Sequence, residues 1–276
     1  MSTLTTGETA VSVIVPSYNV QGYLSDALDS ILAQTFSNWE CIIINDGSTD
    51  GTAAVAQEYC RKDPRFKLVS QPNKGLPGAR NTGLDNASGE FILPLDADDR
   101  IGPEYMELAM KEFSEHPETR LVYCKASLFG AQTGRWHLPK YSYDRFITTN
   151  CIFCTCFYRR SDAMEIGKYD ESLRLGYEDW DFLLRLIRPS DRVTRLDKVL
   201  FHYRKHKNGS AIDVAVRNEQ NLLKYIAGKY PHIYGPYQDR VIELMRRDLQ
   251  LRDMTASGCD TEQVTLKHYF KKLFHK

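Results

Sequence analysis

The segment FILPLDADDR, residues 91–100, runs from an apolar stretch into three carboxylates within four positions, Asp96, Asp98 and Asp99. Carboxylates bunched this closely repel one another unless a cation or a proton relieves them. Oxygen ligands of this kind suit magnesium or manganese, and an ion held there would neutralise a diphosphate. A helix start with dipole-favourable acids accounts for Asp99 but hardly for the whole cluster.

Three other loops share that polar, glycine-rich character: PSYN (16–19), NDGSTDGT (45–52) and QPNKGLPGARNTG (71–83). Singly, each reads equally well as a tight turn. Together with LDADD (95–99) they supply an aromatic face (Tyr18), an acceptor (Asp46), two cations (Lys74 and Arg80), a glycine-rich helix entry and a hard-cation site. Those are the parts that bind a nucleotide. The chain lacks GxxxxGK[ST], and no GxGxxG follows its first strand, which argues against P-loop enzymes and ordinary dinucleotide oxidoreductases.

The elements between these loops alternate in period. VSVIV (11–15), bounded by Pro16, reads as a buried strand, and residues 22–34 place Leu24, Leu28, Ile31 and Leu32 at helical spacing. CIIIN (41–45) repeats the strand and residues 50–60 the helix, with Asp50 as its N-cap. FKLVS (66–70) is a third strand, a helix starts near Pro77, and EFILPL (90–95) is a fourth strand. Alternation of this kind predicts a parallel α/β sheet whose ligands bind outside the carboxyl ends of its strands. All four polar loops fall on that edge.

Beyond Asp99 the pattern predicts a helix at 103–114, a strand at 120–124, a stretch over 125–150 that is either irregular or a small excursion from the sheet, a strand over 150–160 and a helix at 178–188. In TEQVTLKHYFKKLFHK (261–276), an apolar helical face opposes lysines, which suits either packing on the domain or contact with an anionic membrane surface. Thirty-six basic side chains balance 36 acidic ones, so nothing in the overall charge points to nucleic acid. The absence of a leader and of any apolar run near the roughly 18 residues of a membrane span predicts a cytoplasmic protein, with peripheral contact at the inner membrane face. Seven scattered cysteines read as reduced thiols, and CIFCTC (151–156) as strand packing rather than a zinc site.

VSVIVPSYN, INDGSTDGT, NKGLPGARNTG, LDADD and GYEDWDFLLRL, in this order, resemble the successive signatures of the family 2 glycosyltransferases, over about residues 11–210. Residue 45 is Asn where many relatives carry a first aspartate. The resemblance implies a GT-A fold, a Rossmann-like βαβ sheet, mostly parallel. It implies a catalytic domain over 1–210, with a nucleotide-binding part about 11–100 and an acceptor-side part about 101–210, and a C-terminal helical extension over 211–276.

It also implies roles. Tyr18 would stack on a nucleobase, Asp46 would accept the imide N–H of uracil, and Arg80 and Lys74 would lie near the nucleotide. Pro16, Asn19, Asn73, Gly75, Ala97 and Glu178 complete the nucleotide-sugar-binding motifs. Asp98, with Asp96, would hold a divalent cation, Mn2+ or Mg2+, on the diphosphate. Asp179 matches the catalytic base. In YRKHKNGS (203–210), Arg204 would lie near phosphate and His206 would be a further metal ligand, although the serine falls one place late. The expected reaction moves a sugar from a UDP-sugar to a hydroxyl of a glycan or lipid-linked acceptor, with inversion. A sugar-phosphate nucleotidyltransferase and a non-catalytic nucleotide-sugar binding module are the alternatives.

Overall fold

The structure is a computed structural model that describes residues 9–174, 176–207 and 219–234. β1 (Val11–Ser17), β2 (Trp39–Asp46), β3 (Phe66–Gln71) and β4 (Phe91–Pro94) pair in parallel in the order β3-β2-β1-β4. Every residue of β1 and β2 is buried. Strands covered on both faces need continuous apolar side chains, which is why VSVIV and CIIIN carry no polar alternation.

Helices α1 (Leu24–Leu32), α2 (Thr52–Lys62) and α3 (Gly75–Asn86) connect these strands. α1 buries Leu24, Ala27, Leu28 and Ile31, whereas Leu32, expected on the same face, is exposed. The Asp50 carboxylate takes the Thr52 N–H at 3.0 Å, just ahead of α2. α3 starts at Gly75, two residues before Pro77, because Gly75 turns the chain with φ of 77°. α3 lies so close to β1 that a Cβ on Gly83 would sit 2.3 Å from Ile14 Cγ2. That approach buries Arg80 beneath the strand ends.

The second half mixes directions. β5 (Arg100–Ile101), α4 (Tyr105–Glu115), β6 (Thr119–Gly130), β7 (Gly134–Trp136), α5 (Tyr143–Phe146), β8 (Phe157–Arg159), α6 (Arg160–Glu165), α7 (Glu178–Leu186) and β9 (Arg192–Lys205) follow in order. The sheet continues β4-β8-β6-β9-β5, with β7 on β6. β8 runs antiparallel to both β4 and β6, while β6 and β9 are parallel over their length.

Two expectations change here. Residues 125–150 are not wholly irregular, since β6 extends to Gly130 and β7 turns back upon it. The strand expected over 150–160 is confined to Phe157–Arg159. An apolar run is buried equally well by side-chain packing off the sheet, and periodicity does not separate the cases. Cys151 and Cys156 are buried within that run, and the cysteines of the described residues are free.

By its contacts the chain divides after Ile226. The second unit is described only over Ala227–Tyr234, where the helix Glu219–Lys229 ends and a short helix Pro231–Tyr234 follows. No helix among the described residues is long and apolar enough to cross a membrane. The segment 261–276 lies outside the described residues.

Candidate active site

The loops after β1 and β2 are laced together by side-chain to backbone bonds. Asn19, at φ 52°, receives the Thr49 N–H on its Oδ1 at 2.8 Å, and its own N–H reaches Ser48 Oγ at 3.1 Å. Asparagine tolerates this left-handed conformation better than most residues. Gln21 Oε1 accepts from Gly51 N at 2.8 Å, closing the same seam. Tyr18 stands between these bonds, half exposed (50%). Pro16 and Ala97 are buried, so their side chains are part of the frame.

Asp46 joins the second loop to the third. Its Oδ1 accepts from Gln71 Nε2 at 2.7 Å and Lys74 N at 2.9 Å, and its Oδ2 from Gly75 N at 2.9 Å. Asn73 Oδ1 shares the Gly75 N–H at 3.1 Å. The carboxylate, buried at the end of β2, thus fixes the entry to α3 and leaves Lys74 exposed there.

Arg80, expected near the nucleotide, is engaged by two carboxylates. It is 1% exposed, with Nη2 2.8 Å from Asp96 Oδ1 and Nη1 2.7 Å from Glu178 Oε1. Its Nε is buried without a partner. One guanidinium therefore joins the end of β4 to the first turn of α7, a charge-assisted bridge in a water-poor setting. Burial pushes the Glu178 carboxyl up to about 7; Arg80 opposes the rise and Asp179 adds to it.

Asp98 and His206 form the next pair, with Asp98 Oδ2 2.6 Å from His206 Nε2. Burial, then the charge of Asp96, raises the Asp98 pKa. Asp99 is buried beside them, accepts the Arg204 N–H at 2.7 Å on Oδ1, and has an unpartnered buried Oδ2. Burial and the charges of Asp98 and Asp96 raise its pKa well above the usual carboxylate range. Arg204 is committed as well: Nε donates to the Asp98 carbonyl at 2.7 Å and Nη2 pairs with Asp26, which also takes Arg100 at 2.6 Å. These bonds tie the end of β9 to the acidic loop.

No three His, Cys, Asp or Glu side chains among the described residues are grouped to hold an ion unaided. Asp96 faces Arg80, and Asp98 with His206 would supply two ligands. That set fits a magnesium- or manganese-like ion, which takes one or two protein ligands and completes its shell with substrate phosphates and water. Tyr23, Gly130, Ala131, Arg204, Lys205, His206 and Lys207 line a groove of about 540 Å³ beside the pair.

Asp179 stands in the first turn of α7, half-buried. Its Oδ1 accepts the Trp180 N–H at 2.7 Å, and Asn150 Nδ2 lies 3.4 Å from both of its oxygens. Burial raises its pKa against the pull of Arg80. Sequence reasoning gave no site role to Asn150, Cys154, Gln71 or Asp26, although Gln71 opens the third polar loop and Cys154 lies in CIFCTC. An asparagine ahead of an apolar run was the one available signal, and it reads as a loop residue.

Residues 12–167 match the model of Glycosyl transferase family 2. The chain is 31% identical over 245 residues to the uncharacterized glycosyltransferase EpsJ of Bacillus subtilis, covering 82% of this chain and 70% of that protein. It is 31% identical over 278 residues to the minor teichoic acid biosynthesis protein GgaB of the same species, covering 91% of this chain and 30% of that protein. Among solved structures, S. aureus TarS 1–349 in complex with UDP-GlcNAc matches with a TM-score of 0.64 and 26% identity, over 74% of this chain and 60% of that one. The mixed sheet with its parallel nucleotide-side half is the GT-A arrangement of that structure. With its strand-end loops, acidic cluster and matching domain, the chain belongs to the family 2 glycosyl transferases.

Proposed function

We propose that this chain is an inverting glycosyltransferase that moves a hexose or N-acetylhexosamine from a UDP-sugar to a hydroxyl of a glycan or lipid-linked acceptor, in cell-surface polymer synthesis. One observation carries the reading. Arg80 joins Asp96 to Glu178, the neighbour of Asp179 in the first turn of α7, so the carboxylate of Asp179 lies within the electrostatic reach of Arg80 and Asp96. The donor class is supported by the UDP-GlcNAc bound to TarS, and the polymer class by the likeness to GgaB.

In this reading the base stacks on Tyr18, and the remaining lone pair of Asp46 Oδ2 accepts the uracil imide N–H. Lys74 and the α3 entry at Asn73 and Gly75 face the donor's charge. Asp98 and His206 would hold a divalent cation, with Asp96 beside them. A bound cation supplies Lewis-acid stabilisation of the departing diphosphate. Asp179 takes the proton of the acceptor hydroxyl as it attacks the anomeric carbon from the face opposite the leaving group, a single displacement with inversion. Burial favours this role, because a carboxyl of raised pKa is a stronger base once ionised.

The test is a panel of nucleotide sugars offered with manganese, with release of the nucleoside diphosphate measured. Turnover of a UDP-sugar and not of GDP- or ADP-sugars is expected. Release of pyrophosphate from UTP and a sugar phosphate would make the chain a nucleotidyltransferase, and binding without turnover of any donor would make it a binding module.

A further inference from the structure

The segment NCIFCTC, residues 150–156, joins the turn after α5 to β8 without strand pairing of its own. At its start Asn150 Nδ2 lies 3.4 Å from each carboxylate oxygen of Asp179. Four residues on, Cys154 Sγ lies 3.6 Å from Asp96 Oδ2. One short stretch therefore meets both the candidate base and the acidic cluster. Arg80 joins the same two regions from the opposite side, through Asp96 and Glu178.

The orientation of Asn150 is informative. Its Oδ1 is buried with no hydrogen-bond partner. An amide oxygen buried without a donor costs stability. Turning the amide over would set that oxygen against the Asp179 carboxylate, which is worse. Packing alone would not choose asparagine here, whereas a carboxylate that must be held in one rotamer would. Asp179 Oδ1 also accepts the Trp180 N–H, a bond that Oδ2 lacks.

We propose that Asn150 is a positioning residue, whose amide fixes the Asp179 carboxylate so that Oδ2 is the oxygen that receives the acceptor's proton. The proposal rests on the assignment of Asp179 as base. The groups that face Asp179 are Arg80 from α3, Asp96 from the end of β4, Glu178 on its own helix, and the thiols Cys154 and Cys156. Burial raises its pKa, and Arg80, the Trp180 N–H and Asn150 lower it. Loss of the amide therefore moves the acid limb of the rate profile to higher pH.

The experiment compares wild type, Asn150→Ala and Asp179→Asn in the full chain. It measures UDP release from UDP-N-acetylglucosamine or UDP-glucose against pH, UDP affinity by calorimetry, and Tm. For Asn150→Ala we expect unchanged UDP affinity, a Tm equal to or above wild type, a rate at neutral pH lower by at least about tenfold, and an acid limb displaced upward. An unmoved limb with an unchanged rate overturns the proposal, as does a fall in Tm and UDP affinity together, which would make the residue merely structural. Should Asn150→Ala fail to fold, Asn150→Ser is read by the same criteria. An active Asp179→Asn defeats the base assignment itself; an inactive one beside a wild-type-like Asn150→Ala defeats this proposal alone.

Discussion

Arg80 and Glu178, 98 positions apart, meet at 2.7 Å in an ion pair whose arginine is almost wholly buried. The same guanidinium holds Asp96 at 2.8 Å, so one side chain ties the loop after β4 to the helix of the candidate base. Breaking a buried pair by removing one partner typically costs about 3–5 kcal/mol, because the other charge is left without compensation. Arg80→Met should lower stability by about that much in urea denaturation. Adding Glu178→Gln to Arg80→Met should restore part of it, a coupling that a double-mutant cycle reads directly.

Glu178 also sets a pH dependence. Its carboxyl titrates near 7 in the folded chain, above the ordinary 4.5, so the folded state binds the proton more tightly than the unfolded one. The stability it contributes is full below about 4.5 and is lost as pH rises through about 7. The stability of wild type minus that of Glu178→Gln should therefore fall across this window, as measured by denaturant titration at a series of pH values.

Asp98 and His206 share a 2.6 Å contact, and a cation bound there must displace any proton between them. Manganese with UDP should raise Tm more at pH 8 than at pH 5.5, by an amount equivalent to about 2.7 kcal/mol at a hundredfold excess over Kd. His206→Ala should reduce the metal-dependent part of the shift and leave the UDP-only part in place.

Gly83 carries the close approach of α3 to β1. Its replacement by alanine would push a methyl to 2.3 Å from Ile14 Cγ2, in the core. Overpacking of this kind costs about 1–3 kcal/mol. Gly83→Ala should lose that much in chemical denaturation, and the loss should shrink when it is made in an Ile14→Ala background, which lacks the Cγ2 that the new methyl meets.

The parallel half of the sheet was legible because β1, β2 and β4 are buried on both faces and its loops carry turn residues, so the edge that gathers Tyr18, Asp46, Lys74 and Asp98 followed from alternation alone. The destination of Arg80 was not. A lone cation in a glycine-rich loop gives no sign that its partners will be Asp96, sixteen residues on, and Glu178 on a distant helix. Asn150 and Cys154 were hidden for a related reason, since an apolar run pressed onto a site by packing looks like a strand until its backbone partners are known. β6 and β9 were underestimated because partly exposed parallel strands carry mixed polar residues without a clean period.

The central claim is that Asp179 removes the acceptor proton while the nucleotide is held elsewhere. Asp179→Asn, assayed for UDP affinity by calorimetry and for UDP release with manganese and the donor that wild type accepts, tests it most directly. The account predicts an unchanged Kd for UDP and a turnover lower by about a hundredfold or more. Turnover close to wild type with UDP still bound would contradict it.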